Sequence, residues 1–177
     1  MFTFEILSKD ASTGARRVRA HTSHVSFDTP AFMPVGTQGA VKAMTPEMLR
    51  SIGAQIILCN TYHLLLRPGI ETIQEIGGLH KFIGWDGPIL TDSGGFQIFS
   101  LSPLRKISED GVLFKSHVDG AEIFLSPEQA IQAQIDLGVD IMLVLDECPP
   151  DPMDFEYCKK SWVLSRQWAN RGKIAYE

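Results

Sequence analysis

Residues 126–148 read SPEQAIQAQIDLGVDIMLVLDEC, and this segment decides the fold class. Ser126 and Gln129 have the spacing of a capping box, which marks the start of a helix. Gly138 is the residue type that most often ends one. Residues 141–145 are apolar without alternation, as expected of a strand that is buried on both faces. The segment therefore predicts a helix followed by a strand of a parallel sheet.

An earlier segment repeats this order. Thr45 and Pro46 are residue types favoured at a helix start, Gly53 is favoured at a helix end, and an apolar strand follows. The alternation of capped helices with apolar strands indicates parallel β/α units and hence an α/β fold. Four such strands are predicted, at residues 32–35, 55–59, 88–91 and 141–145.

Two regions have the pattern of antiparallel strands instead. Residues 1–34 alternate apolar and polar side chains around a turn at residues 12–14, which predicts an N-terminal antiparallel β region. Residues 112–117 and 121–125 flank an Asp-Gly turn. We therefore expect a hairpin inserted between the third and fourth parallel strands.

The composition is that of one globular domain. The chain has 177 residues, of which 44% are hydrophobic and 21% charged, so it can bury a core. No apolar run approaches the roughly 20 residues of a membrane span, and residues 1–10 lack the pattern of a secretory signal. Three cysteines without a Cys-x-x-Cys pair disfavour a disulfide framework and a zinc ribbon. We expect a cytoplasmic protein with reduced thiols and no membrane partner.

The formal net charge is −5, and the acidic excess lies in residues 51–150, which have 13 acidic and 5 basic side chains. Such a balance does not produce a basic surface that follows a phosphate backbone. If the protein acts on nucleic acid, most of the electrostatic attraction must come from elsewhere.

Polar side chains follow three of the predicted strands directly. Asn60 follows the second strand, Asp92 is at the end of the third, and Asp146 and Glu147 follow the fourth. In parallel β/α folds, catalytic groups gather at the carboxyl ends of the strands. We therefore expect the three carboxylates to converge on one face of the fold.

The residues after the third strand suggest a flat ligand that is rich in N–H groups. A Gly-Gly turn at residues 94–95 lets backbone N–H groups approach such a ligand, and Phe96 offers a ring for stacking. Asp146 can accept hydrogen bonds from the ring N–H and the exocyclic amine of a guanine. Residues 92–95 can also be a simple turn with a helix cap, and the acidic loop can be merely solvated. The combination favours the functional interpretation.

Seven motifs occur in the order of one protein family. They are Met33-Pro34-Val35-Gly36-Thr37, Asn60-Thr61-Tyr62-His63-Leu64, Arg67-Pro68-Gly69, Gly77-Gly78-Leu79-His80, Thr91-Asp92-Ser93-Gly94-Gly95-Phe96-Gln97, Phe114-Lys115-Ser116-His117 and Asp146-Glu147-Cys148. On these residues the chain resembles the tRNA-guanine transglycosylases, which are also called queuine tRNA-ribosyltransferases.

The resemblance implies an eight-stranded β/α barrel enzyme that exchanges the guanine at a tRNA wobble position for a 7-deazaguanine. Residues 35–177 would be the first half of the barrel catalytic domain, an incomplete TIM-type barrel with about four of the eight β/α units. Residues 1–34 would be the antiparallel region before it. The implied partners are tRNA, the guanine or 7-deazaguanine base and, in the complete enzyme, a second copy in a homodimer.

The resemblance also assigns roles to the site residues. It implies that Asp92 is the general acid/base, that Asp146 and Cys148 help to read the base, and that Asn60 supports the site. It further implies that five consecutive residues line the base pocket, with the aromatic ring stacking on the base: Ser93, Gly94, Gly95, Phe96 and Gln97. The position of Cys148 resembles the bacterial members, whose incoming base is the aminomethyl precursor of queuosine.

Several parts of the family pattern fall outside these 177 residues. In family members the nucleophilic aspartate, the basic tRNA-binding segment and the cysteines and histidine that bind zinc all follow the fourth strand. We therefore expect no cofactor in this chain, zinc in the complete enzyme, and no base exchange by the chain alone. Asp151 stands where bacterial relatives usually have tyrosine.

Two functions from other classes stay open. The first is a non-catalytic companion subunit that binds tRNA or a full-length relative. The second is a metal-dependent barrel enzyme with Asp92, Asp146 and Glu147 as Mg²⁺ ligands, because hard cations prefer carboxylate oxygens.

Overall fold

The computed structural model describes residues 2–101, 104–150, 152 and 154–177, so Asp151 lies outside the described residues. The strands are β1 (Thr3–Lys9), β2 (Arg16–His21), β3 (Ser26–Thr29), β4 (Ile57–Cys59), β5 (Ile89–Thr91), β6 (Arg105–Ile107), β7 (Val112–Lys115), β8 (Glu122–Leu125) and β9 (Ile141–Met142). The helices are α1 (Pro46–Ser51), α2 (Thr61–Leu66), α3 (Ile70–Ile76), α4 (Leu79–Ile83), α5 (Gly95–Leu101), α6 (Pro127–Leu137) and α7 (Phe155–Tyr176).

The fold is organised around a parallel sheet of three strands in the order β4-β5-β9. On the outer side of β4, Val35 forms an isolated parallel bridge to Leu58. All four segments that were predicted to be parallel strands therefore lie side by side in chain order. The sheet is open in the described part of the chain. Its place in an eight-stranded barrel, and a domain boundary after residue 34, stay predictions.

All four strands are shorter than the sequence predicts, and the first and the last of them are shortened most. Residues 32–35 contribute only the Val35 bridge, because Pro34 has no N–H to donate to a ladder. Strand β9 ends at Met142 rather than at residue 145. The next residue, Leu143, hydrogen bonds through its backbone to a side chain of α6. The Gln134 side chain thus makes hydrogen bonds that a residue of a neighbouring strand would otherwise make.

The antiparallel regions form two further sheets, in the orders β1-β2-β3 and β6-β7-β8. Strands β7 and β8 confirm the predicted hairpin, and the Asp119 carboxylate accepts a hydrogen bond from the Ala121 N–H in its turn. Strand β6 was not predicted. It has three residues, two of them charged, and therefore lacks the alternation that indicates a strand.

Local capping residues begin α1 and α6 where the sequence predicts. The Ser126 hydroxyl accepts from the Gln129 N–H and the Gln129 side chain accepts from the Ser126 N–H, which confirms the capping box of α6. Gly138 ends that helix in the left-handed conformation, with φ at 70°. Thr45 caps α1 in the same way as Ser126 caps α6, through its side chain.

Helices pack on the sheets through two apolar clusters. The first joins α1, α2, α3 and α4 to β4 and β5, and the second joins α5, α6 and α7 to the β6-β7-β8 sheet. Trp168 of α7 is buried at 1% exposure, whereas Trp162 is 62% exposed, so one face of α7 points into the core. Gly172 lets α7 approach α6 closely, since a Cβ there would lie 3.1 Å from Ile131 Cγ1.

Asp140 connects the N-terminal sheet to the parallel sheet, and its side chain has no exposed surface. Its Oδ1 accepts from Ser23 Oγ at 3.0 Å and lies 2.8 Å from His24 Nδ1. Its Oδ2 accepts from the Ile89 N–H at 3.0 Å and lies 3.3 Å from His80 Nε2. Burial alone would raise the pKa of this carboxyl, but the hydrogen bonds from His80, His24 and Ile89 outweigh it and hold the pKa well below its ordinary value.

We expect Asp140→Asn to lower the free energy of unfolding by about 1–3 kcal/mol, because the amide N–H₂ would face groups that are themselves donors. A carboxyl with a lowered pKa stabilises the fold above its ordinary pKa of 3.8, and this stabilisation is lost as the pH falls below that value. Between about pH 5 and about pH 3, the wild type should therefore lose more stability than Asp140→Asn.

Denaturant unfolding across that pH range measures both effects. The control is Asp136→Asn, because the Asp136 carboxylate accepts a hydrogen bond from the neighbouring Gln132 on the same helix and makes no connection between sheets. Identical pH dependence of the wild type and Asp140→Asn would contradict the role given to this carboxylate.

Candidate functional site

Asp92 leaves the end of β5 with its carboxylate held by three donors. Oδ2 accepts from the Asn60 side-chain amide and from Gln97 Nε2, the latter at 2.9 Å, and Oδ1 accepts from the Thr61 N–H at 3.0 Å. Each carboxylate oxygen can accept more than one hydrogen bond, so all three donors are satisfied. Asn60 is therefore placed to support Asp92.

The same carboxylate caps a helix. The Thr61 N–H is the first of α2, and Asn60, the N-cap residue, makes no capping hydrogen bond with its own side chain. The structural alternative of a turn with a helix cap is thus right as well, because Asp92 caps α2 and Ser93 Oγ accepts from the Gly95 N–H at the start of α5, at 3.2 Å. A negative charge at a helix start is also favoured by the helix dipole.

The two glycines after Ser93 are required by close approaches on both sides. Gly94 has φ at +85°, and a Cβ on it would lie 3.2 Å from Tyr62 Cβ. A Cβ on Gly95 would lie 2.5 Å from the Asp146 carbonyl oxygen and 2.8 Å from Asp146 Oδ1. Glycine at these positions therefore lets α5 begin directly against α2 and against the segment after β9.

Asp146 is brought to the start of α5 by two neighbours. Its Oδ1 accepts from Ser93 Oγ at 3.0 Å, and its Oδ2 lies 3.8 Å from Cys148 Sγ. Burial, together with the charges of Asp146 and Glu147, raises the pKa of the Cys148 thiol to about 11. The thiol therefore stays protonated at neutral pH and can donate to Asp146.

Phe96 and Gln97 have different surroundings. The Phe96 side chain is 62% exposed, so its ring is accessible for stacking. Gln97 is fixed through its Nε2 to Asp92, and its Oε1 is buried without a hydrogen-bond partner among the described residues. A buried acceptor of this kind is costly unless a donor reaches it. The predicted pocket residues 93–97 therefore lie together with Asp92 and Asp146.

Glu147 does not join the other two carboxylates. Its Oε1 accepts from Tyr157 Oη at 2.7 Å, its backbone oxygen accepts from Ser161 Oγ, and its N–H donates to Ser165 Oγ. All three partners belong to α7. The expectation that Asp92, Asp146 and Glu147 converge is therefore wrong. In the part of the chain that the structure describes, these carboxylates form no group of potential metal ligands.

One cluster in the described residues does bring three potential ligands within 4.8 Å of one another: His24, His80 and Asp140. The two imidazole rings are stacked, with centroids 3.6 Å apart and planes inclined by 16°. Imidazole lone pairs lie in the ring plane, so nearly parallel stacked rings cannot both direct a lone pair at one ion. The cluster is a hydrogen-bonded connection at the start of β5, at the opposite end of that strand from Asp92.

Three residues beside the site, Thr61, Tyr62 and His63, had no predicted role. Thr61 binds Asp92 with both its N–H and its hydroxyl group. Tyr62 Oη lies 2.9 Å from His117 Nδ1, which ties α2 to the β7–β8 turn. Burial raises the pKa of Tyr62 and lowers that of His63. The signal in the sequence was the polar run that directly follows β4.

None of the helices in the described residues could span a membrane.

A carboxylate and amide cluster at the carboxyl ends of parallel strands, beside an exposed aromatic ring and a glycine turn, is the arrangement of a ligand-binding site in an α/β protein.

Comparison with known proteins identifies the family. The model of the queuine tRNA-ribosyltransferase family matches residues 10–177, and the chain belongs to this family. The resemblance read from the motifs is thereby confirmed.

Relatives named queuine tRNA-ribosyltransferase cover nearly the whole chain. The protein of Listeria monocytogenes serotype 4a is 59% identical over 174 residues, which are 98% of this chain and 46% of the relative. That of Acetivibrio thermocellus is 57% identical over 173 residues, with the same two shares. That of Oceanobacillus iheyensis is 58% identical over 169 residues, or 96% and 45%. The chain thus spans about half the length of the curated relatives it matches.

We expect Gly95→Ala to lower the free energy of unfolding by about 1–3 kcal/mol, because the added Cβ cannot coexist with the Asp146 carbonyl and carboxylate oxygens. Gly14→Ala is the matched control, since nothing lies within 4 Å of a Cβ at that position. Denaturant unfolding of the two variants and the wild type provides the comparison. If Gly95→Ala is as stable as Gly14→Ala, Asp146 does not lie against the start of α5.

Proposed function

We propose that the complete protein to which this chain belongs is a tRNA-guanine transglycosylase, which exchanges the guanine at a tRNA wobble position for a 7-deazaguanine. The names of the relatives support a ribosyltransferase that acts on tRNA. Within that enzyme, this chain supplies the acid/base group and the residues that read the base. The observation that supports this most is that two groups of contacts meet at residues 94–95. In one group, donors hold the Asp92 carboxylate. In the other, Ser93 and Cys148 contact Asp146.

Guanine recognition follows from the chemistry of these groups. Guanine has a ring N–H and an amine next to each other on one edge, and a carboxylate has two oxygens that can accept from both. Asp146 is oriented for this by Ser93 and Cys148. The exposed ring of Phe96 is available to stack on the base, and Gln97 Oε1 is an acceptor without a partner.

The chemistry we propose is a double displacement at the ribose. A carboxylate from the rest of the protein attacks the anomeric carbon as the bond to guanine breaks, and the incoming base then displaces that carboxylate. Asp92 transfers the proton that the leaving base must gain and the incoming base must lose. The target nucleotide has to leave its stack to reach these residues. Zinc and a homodimer in the complete enzyme stay predictions.

The base-exchange proposal can be tested with a fusion protein, in which residues 1–177 replace the matching part of the Listeria monocytogenes relative. We expect the fusion protein to incorporate radiolabelled guanine into unmodified tRNA. The isolated chain should incorporate none above a control without protein, because it lacks the covalent nucleophile. Incorporation by the isolated chain would mean that one of its own residues is the nucleophile. Binding of tRNA by a fusion protein that never exchanges guanine would favour the companion subunit.

Substitution of the two aspartates should separate their roles in the fusion protein. Asp92→Asn should slow exchange by about 10²–10⁴-fold and leave tRNA affinity nearly unchanged, because acid/base groups act mainly in the transition state. Asp146→Asn should weaken guanine binding by about 100-fold, because it replaces an acceptor of two charge-assisted hydrogen bonds. Equal loss of tRNA affinity in both variants would show a shared structural role instead.

A titration with Mg²⁺ tests the remaining alternative. We expect no heat of binding from Mg²⁺ that depends on Asp92 or Asp146, because Glu147 is held by α7 and cannot complete their ligand set. Isothermal titration of the fusion protein and its two variants measures this. Binding that both substitutions abolish would support the metal-dependent enzyme.

A further inference from the structure

Gln134 lies outside the site, on α6, but its side chain contacts both of the segments that form it. The residue is completely buried. Its Oε1 accepts from Thr91 Oγ1 at 2.9 Å and from the Leu143 N–H at 3.0 Å. Its Nε2 donates to the Ala130 and Leu143 carbonyl oxygens, both at 2.9 Å. Two acceptor and two donor positions are the full capacity of a glutamine amide.

The Gln134 side chain binds both backbone groups of Leu143. In a parallel ladder, the N–H and the C=O of one residue bond to two different residues of the neighbouring strand, and here the Gln134 amide binds both groups. The parallel ladder between β5 and β9 contains only two residue pairs, the last being Thr91 with Met142. Leu143 N–H also lies 3.2 Å from the Thr91 oxygen. Gln134 therefore continues the ladder by one residue beyond the point where regular pairing stops.

The two segments that Gln134 joins lead directly into the site. Thr91 precedes Asp92, and Leu143 lies three residues before Asp146. We propose that Gln134 is a positioning residue that sets the spacing between Asp92 and Asp146, an inference that rests on the proposed function. Gln134 contacts neither the base nor the tRNA. It acts by holding the ends of β5 and β9 at a fixed separation.

The spacing matters because one bound guanine must meet both aspartates. Asp146 holds the edge of the base while Asp92 exchanges a proton with it, so a change in their separation weakens base binding and misplaces the proton transfer together. Misplacement of a reacting group by about 1 Å can cost on the order of 100-fold in rate. Binding of tRNA through its backbone does not depend on this spacing.

The central test is Gln134→Met in the fusion protein, because methionine keeps the length of the side chain and removes all four hydrogen bonds. We expect the guanine KM to rise about tenfold and kcat to fall about tenfold, with tRNA affinity changed less than about twofold. Gln132→Met on the same helix is the matched control. Gln132 is exposed, and among the described residues its side chain bonds only to the Asp136 side chain, so both kinetic constants should stay at the wild-type values.

A second variant separates positioning from a loss of folded protein. In Gln134→Glu, the ionised carboxylate keeps both acceptors and loses both donors, whereas the protonated form regains one donor. The guanine KM of this variant, divided by that of the wild type at the same pH, should therefore fall towards one as the pH is lowered. A purely structural residue would change the fraction of active protein, not the guanine KM.

Three results would overturn this inference or its basis. A wild-type guanine KM in Gln134→Met, or a KM ratio for Gln134→Glu that does not change with pH, would show that Gln134 does not set the spacing. Both results require a wild-type fusion protein that exchanges guanine. If the wild-type fusion protein exchanges no guanine, the proposed function fails, and the role of Gln134 fails with it.

Discussion

The Asp92 carboxylate is the group on which the arrangement of the site depends. It accepts hydrogen bonds from Asn60 and Thr61 after β4 and from Gln97 on α5, so it joins two segments that are far apart in the sequence, residues 60–61 and residues 92–97. Because all these groups donate, the two acceptor oxygens of one carboxylate satisfy them together. The hydrogen bonds that hold Asp92 also hold α2 and α5 in place.

Local signals predicted much of the fold. The capping box at Ser126 and Gln129 depends on residues within one turn, so the sequence alone was enough to place α6. The end of β9 could not be predicted in this way, because Leu143 pairs with a side chain of that helix, and periodicity contains no information about such a contact. The barrel itself stays a prediction, since it needs strands beyond those described.

The candidate site was predictable as a set of residues but not as a set of contacts. The motifs identified Asp92, Asp146 and the glycine turn, and the structure brings them together through Ser93. The prediction for Glu147 failed because Tyr157 on α7 holds its carboxylate, and adjacency in the sequence gives no indication of that partner. The acidic balance of residues 51–150 does not form a basic surface that follows a phosphate backbone, which is consistent with the proposal that this chain reads the base and that tRNA-binding charge is supplied elsewhere.

A crystal structure of the fusion protein with bound guanine would show directly whether Asp146 reads the base beside Asp92. We expect both carboxylate oxygens of Asp146 at about 2.7–3.1 Å from the ring N–H nitrogen and the exocyclic amine, with the Phe96 ring against the face of the base. Guanine bound away from Asp146, or bound with its N–H edge towards solvent, would contradict this expectation.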